Sequence, residues 1–144
     1  MSGWLLDTNI VSELRKPRPE PKVVRFVAGQ ALHSLFISEV TLAEIRFGVE
    51  RATSPGRRAE LNDWLTHKLR PMFERRVLAV TEDVILKWRR LVEEGRKAGH
   101  TFSQPDLFIA AMALHHGLTV VTRDAADYRL ARISVFDPWT DPMP

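Results

Sequence analysis

Asp7, Glu44, Asp106 and Asp124 are the side chains of this sequence whose placement could do chemistry. Trp4-Leu5-Leu6 is an unbroken apolar run that stops at Asp7, the pattern of a buried parallel strand reaching its carboxyl end. Val120-Val121-Thr122 does the same just before Asp124. Glu44 falls near the start of the helix expected after a strand at 35–37, and Asp106 in the first turn of the helix expected to feed a strand at 118–121. Carboxylates brought together repel, which raises some of their pKa values. A divalent cation removes that cost, and all-oxygen ligands suit Mg²⁺ or Mn²⁺. Such a centre activates water and stabilises the leaving oxygen of a phosphodiester in an in-line displacement.

The elements that must position these acids alternate along the chain. Strands are expected at 4–6, 35–37, 77–80, 118–121 and 133–136. Helices are expected at 9–14, 22–29, 39–51, 57–69, 82–96 and 105–116. Thr81 and Ser103 read as helix starts, Gly99 and Gly117 as stops. Leu61, Trp64, Leu65 and Leu69 make 57–69 the clearest amphipathic segment, with Pro71 disturbing its end. Alternation of this kind predicts an α/β fold, a three-layer α/β/α sandwich around a mainly parallel five-stranded sheet. Ligands of open α/β sheets lie at the carboxyl ends of the strands. Asp7 and Asp124 follow strands directly. A helix leaving a strand begins at that edge, which places Glu44. A helix feeding a parallel strand runs antiparallel to it, so its first turn, with Asp106, starts there too. Asp127 lies one turn beyond Asp124 if that segment is helical. Helical spacing puts Asp106 on a face with Ile109, Ala110 and Ala113, and Glu44 on one with Val40, Phe47 and Gly48, so both are expected to point inward.

Each acid also has a purely structural reading. Thr41-Leu42-Ala43-Glu44 and Ser103-Gln104-Pro105-Asp106 fit capping boxes. Asp7 and Asp124 fit turns after strands, and acids suit helix N-termini. What favours a site is the arrival of four acids from separate parts of the chain at one edge.

Composition narrows the classes. A chain of 144 residues is expected to form one domain, 1–144. The absence of cysteine removes disulfides, thiol nucleophiles and thiolate metal sites. There is no Gly-x-Ser-x-Gly elbow and no phosphate loop. No apolar run is long enough to span a membrane, and a strand this near the N-terminus leaves no room for a signal peptide, so a cytoplasmic protein is expected. A net charge of +3 permits phosphate binding and equally fits a solubilising surface. The five histidines show no ligand spacing.

In order and spacing, Leu6-Asp7-Thr8-Asn9-Ile10-Val11-Ser12-Glu13, Ala43-Glu44-Ile45-Arg46-Phe47-Gly48, Pro105-Asp106-Leu107-Phe108-Ile109-Ala110-Ala111, Thr122-Arg123-Asp124 and Asp137-Pro138-Trp139 resemble the PIN-domain ribonucleases. More narrowly they resemble the VapC toxins of VapBC toxin–antitoxin pairs, including the FitB-type branch. The resemblance covers nearly the whole chain. It implies an acidic quartet of Asp7, Glu44, Asp106 and Asp124 that holds Mg²⁺ or Mn²⁺ and cleaves RNA. It gives Thr122 the hydroxyl position within the site, Asn9 the orienting of Asp7, and Asp127 the place of an auxiliary acid found in some members. The position of Asp124 is asparagine in many relatives. The resemblance further implies a homodimer and a cognate VapB-like antitoxin that bridges to promoter DNA. Antitoxins of similar systems lay a helix into an apolar groove; Leu14, Phe26, Leu61, Trp64 and Leu65 would line it here, or simply fill the core. Arg46 and Arg123 flank the acids and would either hold phosphate or pair with them. Two other readings are a catalytically silent PIN-like module that binds RNA or a partner, and a receiver-like phosphoacceptor. A receiver's lysine after the last strand is missing from Ile133-Ser134-Val135-Phe136-Asp137-Pro138.

Overall fold

The computed structural model describes residues 3–101 and 104–144. Five strands form one sheet: β1 (Trp4–Leu6), β2 (Leu35–Ser38), β3 (Val77–Leu78), β4 (Thr119–Val121) and β5 (Val135–Phe136). Their order is β3-β2-β1-β4-β5, and every pairing is parallel. The chain steps outward from β1 to β3, then returns to lay β4 against the other side of β1. The winding therefore reverses between β1 and β4, and the crevice at that reversal is where open α/β sheets place ligands.

Helices cover both faces. On one lie α1 (Thr8–Arg15), α2 (Pro21–Ala28), α3 (Glu39–Glu50), α4 (Pro55–Trp64) and the short α5 (Arg70–Met72). On the other lie α6 (Glu82–Lys97), α7 (Gln104–His116) and α8 (Ala125–Leu130). Caps start several of them as local chemistry dictates. The Ser38, Ser54 and Thr81 side chains accept from Thr41, Arg57 and Val84 N–H groups. Pro21 and Pro55 sit at first helical positions, where a missing N–H costs nothing. Gly117, at φ +66°, turns the chain from α7 into β4. Ser103, expected to open α7, lies outside the described residues.

Strand alternation sorts the core into two clusters. Leu5 and Val120 belong to the one with α6, α7 and α8; Leu6 and Val121 belong to the other. All four are fully buried, and cutting such a leucine to alanine costs about 2–5 kcal/mol. The next residue along each strand returns to the first face. That carries Asp7 and Thr122 toward α7 and α8.

The expected helix at 57–69 is the main departure. α4 carries no fully buried residue, and Leu65–Leu69 form a wide π turn before α5. Pro71 has no N–H to offer His67, and the Arg70 N–H reaches back to Leu65 instead. β3 and β5 are also two residues long rather than four. Among the described residues no helix is long and apolar enough to cross a membrane.

Candidate active site

Asp7 ends β1, caps α1 and is 4% exposed. Its Oδ1 accepts from Thr8 N at 2.8 Å, and its Oδ2 from Thr122 Oγ1 at 2.8 Å and Tyr128 OH at 3.2 Å. Burial pushes its pKa from the ordinary 3.8 up to about 6; the charge of Asp106 adds to the rise, while the bonds from Thr122, Thr8 and Tyr128 oppose it. Burial likewise holds the Tyr128 phenol well above its usual range, with Asp7 and Asp106 contributing, so it is a neutral donor. The same hydroxyl lies 3.4 Å from Asp106 Oδ1. β1, α7 and α8 thus meet at one phenol oxygen.

A second set of bonds ties β4 to α1. Thr122, fully buried, donates to Asp7 and accepts from Asn9 Nδ2 at 2.9 Å and Asp124 N at 3.1 Å. Asn9 Oδ1 accepts from Arg123 N at 3.2 Å, and Nδ2 reaches Asp124 Oδ2 at 3.3 Å. Asn9 therefore acts on Asp7 through Thr122 rather than by touching it. Asp124 occupies the N-cap of α8, yet its side chain makes no capping bond.

Glu44 departs from expectation. The cap of α3 is Ser38, not Thr41, so the helix starts three residues earlier than a Thr41–Glu44 box requires. Its buried face carries Thr41, Leu42 and Val49, while Glu44 is exposed beside Phe47, itself 58% exposed. Glu44 still reaches the edge, because Thr8 Oγ1 donates to Oε1 at 2.9 Å. The four acids form a linked chain rather than a closed cage: Glu44 through Thr8 to Asp7, Asp7 through Tyr128 to Asp106, and Asp7 through Thr122 and Asn9 to Asp124. Among the described residues no three acids or histidines stand close enough to hold an ion by themselves. The donor chemistry nevertheless suits Mg²⁺, which keeps several waters and is commonly held by one or two carboxylates plus substrate phosphates. Asp7 and Asp106 offer carboxylate oxygens of that kind, the first of them buried at a cost.

Asp127 lines a small recess with Asp106 and Tyr128, but its carboxylate is half-exposed and lies 3.7 Å from His100 Nε2. Arg123 places its guanidinium 5.0 Å over the Trp139 ring, and its charge is felt at Glu13. Arg46 is exposed. Sequence reasoning gave the Tyr128 and Thr8 hydroxyls no place in the site. A signal existed for the first: the chain's only tyrosine stands four residues after Asp124, one helical turn on.

An apolar groove of about 320 Å³ runs between α1, α2 and the α4–α5 segment, lined by Val11, Leu14, Val24, Val27, Trp64 and Met72 among others. Of its expected lining, Leu14 and Trp64 are there. Phe26 and Leu65 are buried core, and Leu61 lines a neighbouring cleft with Thr8 and Glu44. Phe26 is taken up by Trp4 and Phe136, whose rings it meets at 5.0 and 4.8 Å.

The PIN domain family model matches residues 4–133. Toxin FitB of Neisseria gonorrhoeae is 34% identical over 137 residues, 95% of this chain and 99% of that protein. VapC ribonuclease Y4jK of Sinorhizobium fredii is 32% identical over 135 residues, 94% of this chain and 96% of that protein. Among solved structures, FitAcB from Neisseria gonorrhoeae superposes with a TM-score of 0.91 at 33% identity, covering 96% of this chain and 99% of that one. FitAB bound to an IR36 DNA fragment also gives 0.91, at 31% identity over 96% of this chain and 97% of that one.

Proposed function

The chain belongs to the PIN-domain family, and from that premise we propose that it is a metal-dependent endoribonuclease, the toxin of a type II toxin–antitoxin pair. The observation that carries the reading is the crevice between β1 and β4, where Asp7 and Asp106 share the Tyr128 hydroxyl. Relatives named as VapC ribonucleases supply the reaction class. Family membership removes the receiver alternative.

Asp7 and Asp106 would hold Mg²⁺ or Mn²⁺, with Glu44 and Asp124 completing the negative field at the mouth. A cation held there supplies an activated water and neutralises the leaving oxygen of the cut phosphodiester. Thr122, Tyr128 and the Thr8 N–H fix the Asp7 carboxylate in one orientation, and Asn9 fixes Thr122 and Asp124 in turn. Asp127 stays an auxiliary acid, paired with His100.

The two similar solved structures are of FitAcB and of FitAB, the latter bound to a DNA fragment. By that likeness we place a helix of a VapB-like antitoxin in the groove between α1, α2 and α5, bridging this chain to promoter DNA. The proposed assembly is a homodimer in the cytoplasm, each chain a single unit of residues 1–144.

The test uses total cellular RNA with the wild type and a folded Asp106→Asn variant, each with Mg²⁺ and with EDTA. Cleavage is expected from the wild type in Mg²⁺ alone. Equal cleavage by Asp106→Asn contradicts the reading, and an inert wild type that still binds RNA points to a silent module.

A further inference from the structure

Tyr128 is the chain's single tyrosine, 2% exposed, with its ring in the cluster that holds Leu5, Ile109, Ala110 and Val120. Packing accounts for a ring at this place but not for a hydroxyl. A buried phenol oxygen requires a partner. This one has two, Asp7 Oδ2 at 3.2 Å and Asp106 Oδ1 at 3.4 Å. The hydroxyl carries one proton, and both neighbours are carboxylates. Its position is set from several sides. Tyr128 lies in α8, which opens at Asp124 beside Asn9, and its own carbonyl accepts from Ile133 N at 3.0 Å.

We propose that Tyr128 is a positioning residue for the metal pair: its hydroxyl, anchored on a buried ring, holds the Asp7 and Asp106 carboxylates at the spacing in which they take up a divalent cation. This rests on the nuclease reading above and adds the residue that sets its ligands. Two carboxylates with no shared donor repel and turn apart. One donor common to both draws an oxygen of each toward the same point. It does so from β1 and α7, elements that otherwise reach the crevice from different parts of the chain. Hydrogen-bond partners of metal ligands are typically worth about 10–100-fold in metal affinity or activity.

Uniform 3-fluorotyrosine labelling marks this one position. Its fluorine resonance is expected to shift with Mg²⁺ in parallel with the onset of cleavage, and the shift is expected to vanish in Asp106→Asn. Tyr128→Phe keeps the ring, and its melting temperature checks the fold. Its Mn²⁺ dissociation constant, read from the free-ion paramagnetic resonance signal, should weaken by about 10-fold and kcat should fall alongside, with KM for RNA unchanged. A folded Tyr128→Phe that binds Mn²⁺ and turns over like the wild type overturns the proposal. So does a resonance that Mg²⁺ leaves unmoved in a protein that is cutting RNA. A wild type that neither binds Mn²⁺ nor cuts RNA overturns the nuclease reading first and this with it, which separates the two failures.

Discussion

The acids at the crevice divide into an inner pair and an outer pair, and the two are built differently. Asp7 is buried under three donors, and Asp106 meets it at a phenol hydroxyl anchored in the core. Glu44 and Asp124 are exposed, each held by one side-chain donor from α1: Thr8 for Glu44 and Asn9 for Asp124. The inner pair is fixed by the fold, so its spacing is a property of the sheet and its helices. Among the described residues the outer pair is held at the surface by one side-chain bond each. A precise site is therefore made by strand ends and core packing, and an exposed rim by the first turn of α1.

Substitutions at the two pairs should separate them. Asp7→Asn or Asp106→Asn is expected to lower Mg²⁺-dependent RNA cleavage by more than the roughly 10–100-fold typical of losing a ligand's hydrogen-bond partner, with the protein still folded by circular dichroism. The next largest effect is on stability. Asp7 has its pKa raised from 3.8 to about 6 in the folded state, so between those values the folded protein binds more protons than the unfolded chain. Stability from this group is thus full below pH 4 and lost as pH climbs through 6, by about 3 kcal/mol in all. In EDTA at pH 7.5, Asp7→Asn should melt above the wild type, and the gap should close by pH 4 in thermal scans. Mg²⁺ binding must displace the same proton, so its affinity should fall as pH drops below about 6.

Glu44→Gln and Asp124→Asn should cost less, about 10-fold in cleavage, and added Mg²⁺ should recover much of it in a metal titration. A loss as large as that of Asp106→Asn would erase the distinction between inner and outer acids. Smallest of all, Val24→Asp in the apolar groove should leave cleavage unchanged while abolishing co-purification with the antitoxin.

Much of this arrangement was legible before any coordinates. Apolar runs ending at Asp7 and Thr122 mark strand ends, and parallel topology alone brings α7 and its Asp106 to the same edge. Glu44 was placed at the right edge but on the wrong face. Helical spacing sets it beside Phe47, whose apolar ring suggests an inner face, yet that ring is 58% exposed. The wide turn at Leu65–Leu69 escaped because the apolar spacing there fits an ordinary helix, and only the proline further on betrays the change. Tyr128 escaped because a tyrosine in a short segment reads as packing until its hydroxyl is seen between two carboxylates. For Phe26 and Leu65 the core alternative is the one observed, a choice left open because spacing does not tell an inner apolar face from an outer one.

Crystals of the active protein soaked in Mn²⁺ test the inner pair most directly through anomalous scattering. The expected result is a peak bridging Asp7 and Asp106, absent from Asp106→Asn crystals treated alike. A peak held by other residues, or none in a preparation that cleaves RNA with Mn²⁺, would contradict the assignment of the inner pair as the cation's seat.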